Sequence, residues 1–169
     1  GTKTACVDRR KPCVALIITG LVRSLIYPKV HRSIATHVVK ALSDGGAQVD
    51  VHLYLDRSIE VNEGDSGEWK PGVQFKSEFV SDADLAPVIA TLRPALVNFY
   101  VSQTMAKEVP TASGLNVWVM QNLISRQYSK HAANDRGWRH ATAFAKDLGI
   151  SYDWWLWHRA DFAWGAPIP

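Results

Sequence analysis

The sequence predicts an α/β fold built on a mostly parallel sheet. Three observations predict it. Strand-length apolar runs alternate with amphipathic helical stretches along the chain. The first run, residues 14–19, is apolar without alternation, as a strand covered on both faces requires. Glycines punctuate the element ends, at Gly20, Gly45-Gly46 and Gly149. A chain of 169 residues fits one domain, 1–169, large enough to bury a core.

Taken in order, residues 14–19 form the first strand and Gly20 ends it. Val30, Ile34, Val38 and Leu42 recur every four residues, with Ala35 and Ala41 beside them. They mark a helix that opens near Pro28, where a missing N–H costs nothing, and stops at Gly45-Gly46. Residues 49–55 are the second strand: Val49, Val51, Leu53 and Leu55 share one face, and Asp50, His52 and Tyr54 the other. Residues 57–81 are polar and long for a loop, so they read as a lid or an insertion with its own hairpin, 73–79 supplying one strand. Asp84 is expected to cap a short helix carrying Leu85, Val88, Ile89 and Leu92, with Pro87 near its third position. Residues 95–101 form a third strand and 103–115 an irregular link. Residues 116–148 are helical, with Val117, Gln121, Ile124 and Tyr128 on one stripe, a break expected at 134–137, a second stripe of Trp138, Ala141, Ala145 and Leu148, and an end at Gly149. Residues 154–158 are the fourth strand, and Arg159-Ala160-Asp161 lies just past it.

Composition narrows the function. A net charge of +3, from 19 basic and 16 acidic residues, lacks the strongly basic character expected of a nucleic-acid binder. No apolar run is long enough to span a bilayer. Cys6 and Cys13 leave two readings, free thiols or a disulfide. A disulfide favours an oxidising compartment such as the Golgi or endoplasmic reticulum lumen. The loop between them carries few apolar residues and is expected to be dispensable for the core. The chain opens at Gly1 and closes at Pro169, directly after an aromatic segment, which suggests the N-terminal part of a longer catalytic domain.

Ligands of open parallel sheets bind outside the carboxyl ends of the strands. The residues expected there are Gly20, Arg23 and Ser24 after the first strand, Asp56 after the second, Ser102 and Gln103 after the third, and Arg159 and Asp161 after the fourth. Gly20, Asp56, Ser102 and Asp161 should share one sheet edge. The Gly20-Leu21-Val22-Arg23-Ser24 turn is neither a dinucleotide fingerprint nor a P-loop, which argues against a nicotinamide enzyme and a P-loop NTPase. One arginine beside a glycine turn still suits a phosphate, through its guanidinium fork. Asp161, at the end of a buried strand, should be paired or metal-bound. The tryptophans of 154–164 serve either as sugar platforms or as core. Arg126, Lys130, Arg136, Arg139 and Lys146 against Asp135 and Asp147 make a basic helix that meets a pyrophosphate or is simply solvated. The six histidines show no metal-ligand spacing, and His31, His37 and His52 read as structural or exposed.

Residues 14–24 (VALIITGLVRS), 49–55 (VDVHLYL), 121–128 and 152–162 (YDWWLWHRADF) resemble the GT-A-fold glycosyltransferase-like proteins, whose first strand leads to a G-x-x-R-S turn. The resemblance covers about half of the chain, is weak over 57–115, and extends to Trp164 and 167–169. It implies a Rossmann-like GT-A type three-layer sandwich with a mostly parallel sheet. It also implies a nucleoside-diphosphate sugar donor, a divalent cation (manganese or magnesium) and sugar transfer to an acceptor. By position Asp161 is then the last carboxylate of the D-x-D metal motif, with Arg159 in place of its first aspartate. Gly20, Arg23, Ser24, Asp56 and Arg159 become the nucleotide and diphosphate residues. The arginine substitution also admits a rival: a non-catalytic relative, scaffold or subunit of a larger assembly.

Overall fold

A computed structural model describes residues 4–61, 76–100 and 117–168, with backbone only for 58–61, 76–79 and 117–130. Strand β1 (Cys13–Leu21) passes into a short turn of helix, α1 (Val22–Leu25). Then come α2 (Pro28–Ile34), a π turn (Ala35–Val39) and α3 (Lys40–Asp44). Strand β2 (Gln48–Asp56) is followed by β3 (Ser58–Val61), β4 (Lys76–Phe79), α4 (Asp82–Leu92), β5 (Leu96–Tyr100), α5 (Val117–Leu148) and β6 (Trp154–Arg159).

Among the described residues the main sheet has four strands in the order β5-β2-β1-β6, all parallel. In chain order that is 3-2-1-4. Successive strands step outward from β1 to β5, and β6 then returns to the other side of β1. The polar insertion does supply a hairpin of its own, β3 paired antiparallel with β4.

Side-chain alternation along the strands builds two cores. Val14, Leu16 and Ile18 of β1 and Val49, Val51, Leu53 and Leu55 of β2 form one cluster with Val22, Leu25, Ile34 and Val38 and with Leu85, Val88 and Leu92 of α4. On the opposite face Ala15 packs with Ala145 and Tyr152, and Tyr54 with Ala133. Asp50, His52 and Tyr54, the polar side of β2, are therefore buried too.

Several expectations need correction. Helix α5 runs unbroken through 134–137. Gly137 is buried there against the sheet, where a Cβ would lie 3.2 Å from Ile17 and 3.3 Å from Thr19 and Tyr54. It marks a close approach of helix to sheet. The buried stripe of α5 is Ala133, Gly137, Ala141, Phe144 and Ala145, while Trp138 and Leu148 are 41% and 44% exposed. Ser81, not Asp84, caps α4: its hydroxyl accepts the Asp84 N–H, and the Asp84 carboxylate answers the Ser81 N–H in a capping box. Pro87 consequently stands at the sixth helical position. Gly149 ends α5 as expected, at φ +64°, with Ile150 N–H returning to the Ala145 carbonyl.

Cys6 and Cys13 form a disulfide, with 5.5 Å between their Cα atoms. The loop they close, and the two residues before it, are tied to β2 by hydrogen bonds. Thr4 Oγ1 and the Ala5 N–H both donate to the buried Asp50 carboxylate at 2.6 Å. Val7 and Asp8 N–H groups donate to the Gln48 side chain. This segment completes the hydrogen bonding of a buried charge that would otherwise be costly.

Candidate functional site

The 3-2-1-4 order sets a switch point between β1 and β6, where open α/β sheets leave a crevice at the carboxyl edge. The turn after β1 and the turn after β6 meet there. Thr19 pairs with Arg159 in register, and the Ala160 N–H donates to the Thr19 carbonyl at 2.8 Å. Gly20 has φ +128°, a conformation that favours glycine, and a Cβ on it would lie 3.3 Å from that of fully buried Ala160. The glycine therefore lets the two turns close together.

Arg23 is exposed on α1 and Ser24 is half-buried beside it. Asp56 ends β2 opposite Leu21 and is 1% exposed. The Tyr100 hydroxyl is raised well above its usual range, by burial first and then by the nearby Asp56 charge. Arg159 and Asp161 form a bidentate pair, Nε to Oδ1 at 2.9 Å and Nη2 to Oδ2 at 2.7 Å. Their side chains are 64% and 46% exposed, so Asp161 is a surface carboxylate rather than the buried one expected. Asp161 keeps the Arg159 guanidinium above its ordinary value. Gly20, Asp56 and Asp161 do share the carboxyl edge; Ser102 and Gln103 lie outside the described residues.

Further features escaped the sequence. Tyr54 is stacked between Tyr100, 4.9 Å away, and His140, 5.2 Å away. Thr19 Oγ1 donates to Asn134 Oδ1 at 2.7 Å, tying β1 to α5 near the same edge. The Trp164 indole N–H donates to His158 Nε2 at 2.6 Å, and burial holds that imidazole below its usual pKa. The segment after β6 is strapped to α2 and the π turn: Trp164 N–H donates to Ser33 Oγ, and Ile168 N–H to the His37 carbonyl. At the opposite, amino end of the sheet, Tyr152 donates to Asp50 at 2.8 Å and lies 2.9 Å from His52 Nε2. These partners are far apart in sequence, and only Asp50 and His52, two positions apart on one strand, gave any signal of the cluster.

On the basic helix Arg139 and Lys146 are exposed and Arg136 is half-buried. Arg139 pairs with Asp135 one turn earlier at 2.8 Å. Only the backbone is described at Arg126 and Lys130. His31 is structural, with its ring bonded to the Leu25 carbonyl. Among the described residues no group of three His, Cys, Asp or Glu is placed to hold a metal, and both Asp161 oxygens face Arg159. These residues do not by themselves make a cation site. No described helix is long and apolar enough to cross a membrane.

Compared with family models, with curated proteins and with solved structures, the chain has no match.

Proposed function

We propose that the chain is a nucleotide-sugar-binding domain of GT-A type, a three-layer sandwich, and that it takes part in glycosyl transfer. The observation that carries this is the switch point between β1 and β6, with Arg23 on α1 just after β1 and Arg159 at the end of β6. Two guanidiniums near one crevice suit a diphosphate because each keeps its charge at neutral pH, and Arg159 retains Nη1 donors beyond the two N–H groups that meet Asp161. Asp56, buried at the end of β2, would support the ribose or base side of the crevice from beneath rather than by touching the ligand.

In the transfer the bond from the anomeric carbon to the diphosphate oxygen breaks, and the diphosphate leaves with the electron pair. An acceptor hydroxyl oxygen forms the new bond and gives up its proton to the departing diphosphate. Arg23 and Arg159 would neutralise the departing charge, which is electrostatic catalysis. Asp161 would orient Arg159 through their bidentate pair. The resemblance assigns a divalent cation here, but the described residues fit one poorly, and no step above passes through it. The Cys6–Cys13 disulfide supports an oxidising compartment, such as the lumen of the secretory pathway.

Thermal melts with UDP, GDP or ADP test the reading. At 100 times its dissociation constant a ligand contributes roughly 2.7 kcal/mol, a rise of about 5–10 °C for a protein of this size. The rise is expected in EDTA as well as in manganese. If none of the three shifts the melt under either condition, the rival scaffold or subunit reading takes over. Arg159 in the place of an aspartate is the observation that favours that rival.

A further inference from the structure

Helix α5 packs on β1 and β2, and among the described residues the same face of the edge strand β6 forms one wall of an open groove. Asn134, Asp135 and Trp138 of α5 and Trp157 of β6 line about 400 Å³ of it, within the range of small-ligand sites. Trp138 and Trp157 are 41% and 50% exposed, two large apolar planes that water does not reward. The lining is held in place. Trp138 leans on Trp155, ring centroids 6.2 Å apart, and Trp155 meets Tyr152 edge-on. Thr19 fixes the Asn134 amide through its oxygen, and Arg139 fixes the Asp135 carboxylate through Oδ2.

We infer that this groove binds a neutral carbohydrate. A pyranose ring has an apolar C–H face and a rim of hydroxyls that both donate and accept. Indole planes match the face, while an oriented amide and an oriented carboxylate match the rim. A wholly apolar ligand would cover the polar atoms of Asn134 and Asp135 that Thr19 and Arg139 leave to solvent and give them no hydrogen bond in return. The inference rests on these lining residues and not on the nucleotide-sugar reading.

The test is an array of immobilised neutral and acidic oligosaccharides probed with the labelled full chain. Neutral pyranose oligosaccharides should be retained. Trp157→Ala should weaken retention at least tenfold, and Trp138→Ala likewise. Trp154→Ala should leave it unchanged, because that 65%-exposed tryptophan lies on the other face of β6. Near-ultraviolet circular dichroism and urea midpoints establish that each variant is folded. Should Trp138→Ala unfold by undercutting Trp155, Trp157→Ala alone decides. Three outcomes overturn the inference: retention of no neutral oligosaccharide, equal retention by Trp157→Ala, or self-association of the wild type that Trp157→Ala abolishes. The last would make a second copy the occupant. The array contains no nucleotide, so its outcome is independent of donor binding.

Discussion

Replacing Tyr152 by phenylalanine should destabilise the protein by about 3 kcal/mol. The hydroxyl donates to Asp50 at 2.8 Å and accepts from His52 Nε2 at 2.9 Å, and Asp50 and His52 are each only 2% exposed. A hydrogen bond to a charged acceptor contributes roughly 1.5–3 kcal/mol, and a stranded buried N–H costs about 1 kcal/mol or more. Asp50 would keep Thr4 and Ala5, so the loss stops short of the cost of an unpaired charge. His52 adds a pH dependence. Burial lowers its pKa to about 4, although Asp50 pulls the other way. Unfolded, it titrates near 6.5, so between about pH 6.5 and 4 the unfolded state binds more protons. Stability from this group is present above pH 6.5 and is lost as pH falls toward 4, by about 3 kcal/mol in all. Urea melts of wild type, Tyr152→Phe and His52→Gln at pH 7.5, 5.5 and 4.5 measure both effects. The wild-type loss on acidification should shrink in His52→Gln. A Tyr152→Phe loss below about 0.5 kcal/mol, or parallel pH curves for wild type and His52→Gln, would refute the reasoning.

Gly137→Ala gains about 1 kcal/mol of helix preference but adds a methyl 3.2–3.3 Å from Ile17, Thr19 and Tyr54. Overpacking costs roughly 1–3 kcal/mol, so a net loss of about 1 kcal/mol is expected in urea melts, with Gly137→Leu much worse. Asp161→Asn breaks a pair whose partners are 64% and 46% exposed, and stability should change by less than about 1 kcal/mol. A loss of 3 kcal/mol would show that the pair is a structural strut. Replacing Cys6 and Cys13 together by serine should cost about 2–4 kcal/mol. The disulfide closes a short loop and also holds Thr4 and Ala5 against Asp50, so an unaltered urea midpoint would contradict that role.

The strands of the main sheet were legible because burial on both faces leaves an unmistakable apolar run at 14–19 and clear alternation at 49–55. From them the carboxyl edge followed, and with it the neighbourhood of Gly20, Asp56 and Asp161. Gly137 was misread because a glycine within a helical pattern signals a break and a close approach equally well, and only the sheet beneath it decides. Small residues hid the buried stripe of α5: Ala133, Ala141 and Ala145 carry little hydrophobic signal, while Trp138 and Leu148 draw attention from a more exposed side. In the tryptophan-rich segment periodicity separated the faces but not the exposures. Trp155 and Trp164 pack inward, whereas Trp154 and Trp157 stay exposed because β6 is an edge strand. The exposure of Asp161 depends on the direction of the turn after β6, which spacing does not encode.

Calorimetric titration of UDP and GDP into the wild type, Arg23→Ala and Arg159→Ala tests the central claim most directly. The account predicts that the wild type binds at least one of them. Each variant should then bind at least tenfold more weakly, about 1.4 kcal/mol, with its urea midpoint little changed. Binding that is absent in the wild type, or equally strong in both variants, would contradict a diphosphate site at the junction of β1 and β6.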